Sequence, residues 1–270
     1  MPKQPSPSPG TSTLTTIADN ASSLGQHLLA MRAGMIPGWR LVLVPAFGDN
    51  IVTGSLNSVA GDIGITLSYP VGDVAVSVAS TSADDTLLGA GMRTIFADTL
   101  DSSYQPGTEI VNMSGQTPAN FVTPLHRIQA FRCIAHGGDP SDMNMGQVAV
   151  GATSDTWTNG APANPYSIMP AGHSISQSGI FTIPAGEEGY LVSGAFFGEA
   201  AKPALGSVEF RPAGLCWFQG IPIIITDGQS AIPTDAGEAI PAGSDIRVRA
   251  VATSQTVTTT VFYGIALRTL

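Results

Sequence analysis

An all-β fold is the class this sequence predicts, and three observations predict it. Charged residues make up only 11% of the 270-residue chain, against about 25% in an ordinary globular protein, whereas 31 glycines and 20 prolines supply the turns that many short strands need. Runs such as Asp73-Val74-Ala75-Val76-Ser77-Val78-Ala79 alternate polar and apolar residues, the period of a half-buried strand. Only one stretch, between Asn20 and Met35, spaces its apolar residues at a helical period. The expected architecture is therefore two antiparallel β-sandwich units, jelly-roll-like, behind an extended N-terminal arm and one short helix. Residues 1–35 would form the arm and helix, 36–151 the first sandwich and 164–270 the second, a division that suits the usual size of a domain.

The elements follow in order. Residues 2–20 are rich in Pro, Ser and Thr and lack the apolar side chains of a core. Termini stay ordered only when something ties them down, so a neighbouring subunit is expected to hold this arm, with Pro5, Pro7 and Pro9 as interface candidates. Leu24, Leu28, Leu29, Met31 and Met35 then predict a short helix, capped by Ser22 or Ser23 and ended by Gly34. Met31 and Met35 join the interface candidates.

Strands of the first unit are expected at Trp39–Val44, Gly64–Tyr69, Asp73–Ala79, Met92–Phe96, Glu109–Met113, Leu125–Ile134 and Gly146–Val150. Between them, Ser80 to Asp85 is a turn whose Ser, Thr and Asp side chains can bond nearby amides, with Asp84 and Asp85 as its capping candidates. Gly89 and Gly91 suit a bulge or a backbone conformation closed to other residues. Arg93 on the following strand is expected to pair with Glu109 across the sheet, because a charge on a partly buried face needs a partner. Thr153 to Ala163 is expected to be a loop between units.

The second unit is expected to hold seven strands: Gly179–Ile183, Gly189–Phe197, Ser207–Arg211, Leu215–Phe218, Ile221–Thr226, Asp245–Ala250 and Thr256–Leu267. Pro-Ala-Gly occurs at 170–172, 184–186 and 241–243, each time suiting a type II turn between strands.

One stretch resembles a known family. Ser80-Thr81-Ser82-Ala83-Asp84-Asp85-Thr86, Gly89-Ala90-Gly91-Met92-Arg93-Thr94, Leu100-Asp101-Ser102-Ser103-Tyr104 and Thr108 to Pro118 follow one another in the order "SSSAxDTxxGTGxRTV…GLDxxYxExxExVxLNGxTPV". That order resembles a family of virion structural proteins of tailed bacteriophages. The match departs at Leu87-Leu88 and at Asn112-Met113-Ser114. The resemblance implies a structural component of a phage particle, assembled in the host cytoplasm and residing in the virion. It would be capsid-associated as a decoration or cement protein, or a tail, collar or fibre component that meets the host surface. Its partners would be other virion proteins and further copies of itself, a trimer being the symmetry suggested by analogy.

Composition narrows the chemistry. A net charge of −9 with lysine only at positions 3 and 202 gives no basic stripe for neutralising phosphates, so direct nucleic-acid binding is not expected. The low charge density also suggests that much of the surface faces other protein. There is no charged leader with an apolar core and no run of about 18 apolar residues, so neither a cleaved signal nor a membrane span is expected. Cys133 and Cys216 lack metal-site spacing and are expected to be buried thiols.

His27, His126, His136 and His173 have no neighbours that match a zinc helix or a nucleophile elbow, so no catalytic residue and no cofactor is assigned. Asp84-Asp85, Asp139 to Asp142 and Glu187-Glu188 are the tight acidic groups. The last is expected at a solvated loop tip, and none has the spacing of a calcium loop, so no metal site is assigned. For the host-surface alternative, Trp157 and Tyr166 are the aromatic side chains that could stack on sugar rings.

Overall fold

Alternating side chains make one face of each strand apolar, and the chain buries those faces by stacking sheets. The computed structural model describes residues 26–54, 56–60, 66–138, 143–199, 202–225, 228–231 and 238–270. It is 54% strand and 3% helical, with antiparallel sheets and one short helix, which makes the fold all-β. Pro5, Pro7, Pro9, Ser22 and Ser23 lie outside the described residues.

The helix, α1, covers residues 26–32. It ends as expected at Gly34, whose φ of 69° opens the left-handed conformation that a helix terminus needs. Gly34 N–H donates to Met31 O at 3.0 Å and Met35 N–H to Ala30 O at 2.9 Å, the paired closing bonds of a Schellman motif.

In chain order the strands are β1 (Trp39–Ile51), β2 (Asn57–Ser58), β3 (Val76–Ser80), β4 (Met92–Leu100), β5 (Pro106–Asn112), β6 (Ala119–Asn120), β7 (Arg127–His136), β8 (Val148–Ala152) and β9 (Trp157–Thr158). They continue with β10 (Ala161–Pro162), β11 (Ser167–Met169), β12 (Ile180–Thr182), β13 (Glu187–Gly198), β14 (Ala204–Arg211), β15 (Phe218–Ile225), β16 (Gln229–Ala231), β17 (Asp245–Ala252) and β18 (Val257–Thr269). Four larger sheets result, ordered β1-β18-β13-β16, β12-β17-β14-β15 with β2 on β17, β11-β8-β3-β6, and β5-β4-β7.

These sheets are set in a four-bladed, propeller-like arrangement rather than as two sandwich units. Strand pairing shows why a pair of sandwiches does not describe the packing. β1 pairs along its length with β18 and β2 with β17, so an early segment completes the sheets of the last one. Conversely β11 pairs back onto β8. Periodicity identifies a strand but carries no information about its partner, and here the partners are far apart in sequence.

Apolar faces meet in two main cores. Val44, Phe196, Val261, Tyr263 and Ile265 face Phe181, Val208, Ile223, Ile246 and Val248 in one. Val76, Val78, Val148 and Val150 face Met92, Ile95, Val111 and Phe131 in the other. A smaller group, Ala60, Leu67, Ala149, Ile168 and Ile180, lies at the seam where β8 and β11 approach β12. Each such side chain contributes about 2 kcal/mol by leaving water.

Two further expectations change. No strand forms over residues 66–70, and 61–65 lie outside the described residues. The loop expected from Thr153 to Ala163 contains the hairpin β9–β10, turned by Asn159 (φ 48°) and Gly160 (φ 80°). Positive φ at both central residues is the type I′ geometry that Asn-Gly favours.

Candidate functional site

The turn from Ser80 to Asp85 and the glycine pair that follows it are organised around one buried carboxylate. Asp85 is fully buried and accepts hydrogen bonds from Ser80 Oγ (2.6 Å), Met92 N–H (2.8 Å), Met145 N–H (2.9 Å) and Gly146 N–H (2.9 Å). The end of β3, the start of β4 and the segment before β8 are thereby tied together. A buried carboxylate is tolerated because every approach to it is a donor.

Both motif glycines are spatial requirements of that knot. A Cβ on Gly91 would collide with Asp85 Oδ1, and one on Gly89 with Asp84 O. Asp84 itself is exposed, and its backbone supplies the bonds: Asp84 O accepts from Gly91 N–H at 3.1 Å. Asp85 is thus the capping side chain of the pair.

Arg93 and Glu109 do not pair. Thr94 stands opposite Asn112 and Ala97 opposite Glu109, which separates the two charged residues by about 13 Å along the ladder. Arg93 Nε donates to Gly89 O at 3.0 Å, bracing the glycine loop from the strand side. Glu109 accepts from Val122 N–H (2.8 Å) and Thr123 N–H (2.7 Å), closing the loop after β6.

A second polar cluster sits where the β5-β4-β7 sheet meets β12 and β17. Asp245, 2% exposed, is held by Arg127 through two bonds of 2.8 and 3.0 Å. Arg211 Nε reaches it at 3.0 Å and Thr182 Oγ1 at 2.6 Å. Burial alone would raise the Asp245 pKa, but the hydrogen bonds and charge of Arg127, with help from Thr182 and Arg211, hold it below its ordinary 3.8.

Aromatic rings insulate this cluster. Arg247 lies 3.8 Å and Arg211 4.6 Å from the Trp217 ring centre, and Arg211 lies 4.5 Å from that of Tyr69. Burial drives the Tyr69 pKa upward. Beside Arg127, His126 is buried with Nδ1 lacking a partner among the described residues. Burial first, and then the Arg127 charge, lower its pKa below 6.5. Its ring meets Tyr104 edge-on at 5.3 Å. The arrangement is a charged seam that fastens sheets together.

Glu187 and Glu188, expected at a solvated tip, begin β13 instead and are ion-paired: Glu187 with Arg40 at 2.6 Å and Glu188 with Arg268 at 2.5 Å. Cys133 is half-buried and Cys216 exposed, so the expectation of burial holds for neither in full. Trp157 is half-buried, with its indole N–H donated to Ala152 O at 3.1 Å. Tyr166 packs against the core behind β8.

A cleft of about 430 Å³ lies between β1 and the neighbouring sheet. It holds no cluster of titratable groups aimed at a common point: Arg40 is engaged by Glu187 and Asp98 by Arg132. Among the described residues no three His, Cys, Asp or Glu side chains converge as a metal-binding group. No helix among them is long and apolar enough to cross a membrane.

Apolar side chains do reach the surface. Leu29 in the middle of α1 is 67% exposed and Met35 just beyond it 74%, whereas Met31 is half-buried. Leu43, Phe197 and Phe262 stand on the outer face of the β1-β18-β13 sheet.

No protein-family model matches the chain, and no curated protein matches it.

Proposed function

We propose that this protein is a non-enzymatic structural component of a tailed-bacteriophage particle, acting through protein–protein contacts. It is capsid-associated in this reading, as a decoration or cement protein, and works as a homo-oligomer; a trimer is the first symmetry to test. The observation that carries the reading is the use made of the motif residues. Asp85, Gly89, Gly91, Arg93 and Glu109 are spent on holding loops together, which is what a scaffold motif requires and an active-site motif does not.

Two surface features support it. The exposed Leu29, Met35, Leu43, Phe197 and Phe262 offer apolar area that gains by being covered, and a chain with 11% charged residues is poorly furnished to stand alone in water. The test is a quantitative gel and peptide mass spectrometry of purified particles. The chain should remain with particles through a density gradient, in numbers comparable to a shell protein. Recovery only in the soluble fraction would end the proposal.

A further inference from the structure

The face of β14 and β17 turned away from the core carries more positive charge than is opposed to it. Along β17, Ile246, Val248 and Ala250 enter the core, so Asp245, Arg247 and Arg249 share the opposite face. The register sets Arg211 of β14 beside Asp245, Glu209 beside Arg247 and Ser207 beside Arg249. Glu209 is buried and pairs with Arg247 at 2.6 Å and with Arg249 at 3.5 Å, while Asp245 is shared by Arg127 and Arg211. Among the described residues four guanidinium groups thus meet two carboxylates, which leaves two positive charges unopposed in a chain whose net charge is −9. Partly buried cations without a counter-ion are costly.

Donors remain for an anion. Arg247 gives Nε and Nη2 to Glu209, and Arg211 gives Nε and Nη2 to Asp245, so Nη1 of each has no acceptor among the described residues. Trp217 stacks with both guanidinium groups, which restrains them while their in-plane N–H groups stay available. The side chains of Arg211, Arg247 and Arg249 are 22%, 15% and 27% exposed, enough to be reached from solvent. Opposite Arg249, Ser207 is 1% exposed and its Oγ has no hydrogen-bond partner among the described residues. A buried hydroxyl without a partner is an exception in folded proteins, and a bound anion would accept its hydrogen bond.

We infer that Ser207, Arg247 and Arg249 bind a dianionic oxyanion of the phosphate class. The planar fork of arginine matches phosphate oxygens. Two unopposed charges match one dianion and are too few for a polyanion such as nucleic acid. The shared chemistry is a terminal phosphate, either the free ion or a monoester on a small molecule. The site is independent of the particle assignment, because none of its residues takes part in the Asp85 knot.

Isothermal titration of the full-length protein tests it, at pH 8, where the phosphate group is a dianion, and at constant ionic strength set with chloride. Inorganic phosphate, glucose 6-phosphate and acetate are the probes. Saturable binding of one phosphate per chain is expected; tighter binding of the ester marks a phosphorylated ligand, and tighter binding of inorganic phosphate marks the free ion. Ser207→Ala removes a hydroxyl that has no partner in the protein, so its melting temperature in chloride should equal or exceed that of the wild type, yet its phosphate affinity should fall about tenfold. Arg249→Gln should weaken phosphate at least tenfold with circular dichroism unchanged. Absence of saturable binding by both phosphate probes, an affinity unchanged in either variant, or acetate bound as tightly as phosphate would overturn the inference.

Discussion

Asp85 gathers four donors onto one carboxylate, and each donor is left buried without a partner if it is removed. An orphaned donor of this kind costs about 1–3 kcal/mol. Asp85→Ala should therefore lower stability by on the order of 4 kcal/mol, read from the urea midpoint. Asp85→Asn, which keeps one acceptor oxygen, should lose less. Gly91→Ala should cost about 1–3 kcal/mol, because the carboxylate it would strike is fixed on all sides. At the seam, Arg127→Met leaves Asp245 buried with only its Thr182 and Arg211 bonds, a change that typically costs about 3–5 kcal/mol. The Ser/Thr/Asp composition of residues 80–85 made Asp85 legible as a capping residue. Its partners at Met145 and Gly146 were not, because no local rule links positions 60 apart. The Arg127–Asp245 pair was hidden for the same reason, at a separation of 118 residues.

Elements were legible where one face is buried and the turn chemistry is local. β4, β13, β17 and β18 stand close to where alternation put them, and α1 ends at the glycine that its pattern named. The short hairpin β9–β10 was missed, although Asn159-Gly160 is the dipeptide that best signals such a turn; four paired residues are too few to show a period. Gly160 combines a φ of 80° with a Cβ position that would strike Ser80 O. Gly160→Ala should thus destabilise by about 2 kcal/mol or more, and calorimetry should show a lower melting temperature with no loss of strand signal. A neutral outcome would mean that the hairpin is not seated on β3 as described.

At the scale of the whole molecule, pairing order was the part that the sequence could not reveal. Strand β1 closes the sheet of β18 across more than 200 residues, so the first and last strands act as one element. The charged seam joins sheets whose strands come from both halves of the chain, and it makes their union sensitive to acid. His126 is held neutral, so as pH falls below 6.5 the unfolded chain binds its proton first and stability declines toward the lowered folded value. Asp245 adds a second loss: its contribution is complete above about 3.8 and disappears as pH falls through its depressed folded pKa. The melting temperature of the wild-type chain should drop between pH 7.5 and 5.5, and His126→Phe should flatten that interval while leaving the loss below pH 4 in place.

The reading of the whole protein as a particle component turns on where it resides. Antibody raised against the chain should be applied to intact virions and viewed by electron microscopy. Label spread over the head is the result expected of a capsid-associated protein. Label confined to the tail tip or neck, or absent from particles altogether, would contradict it.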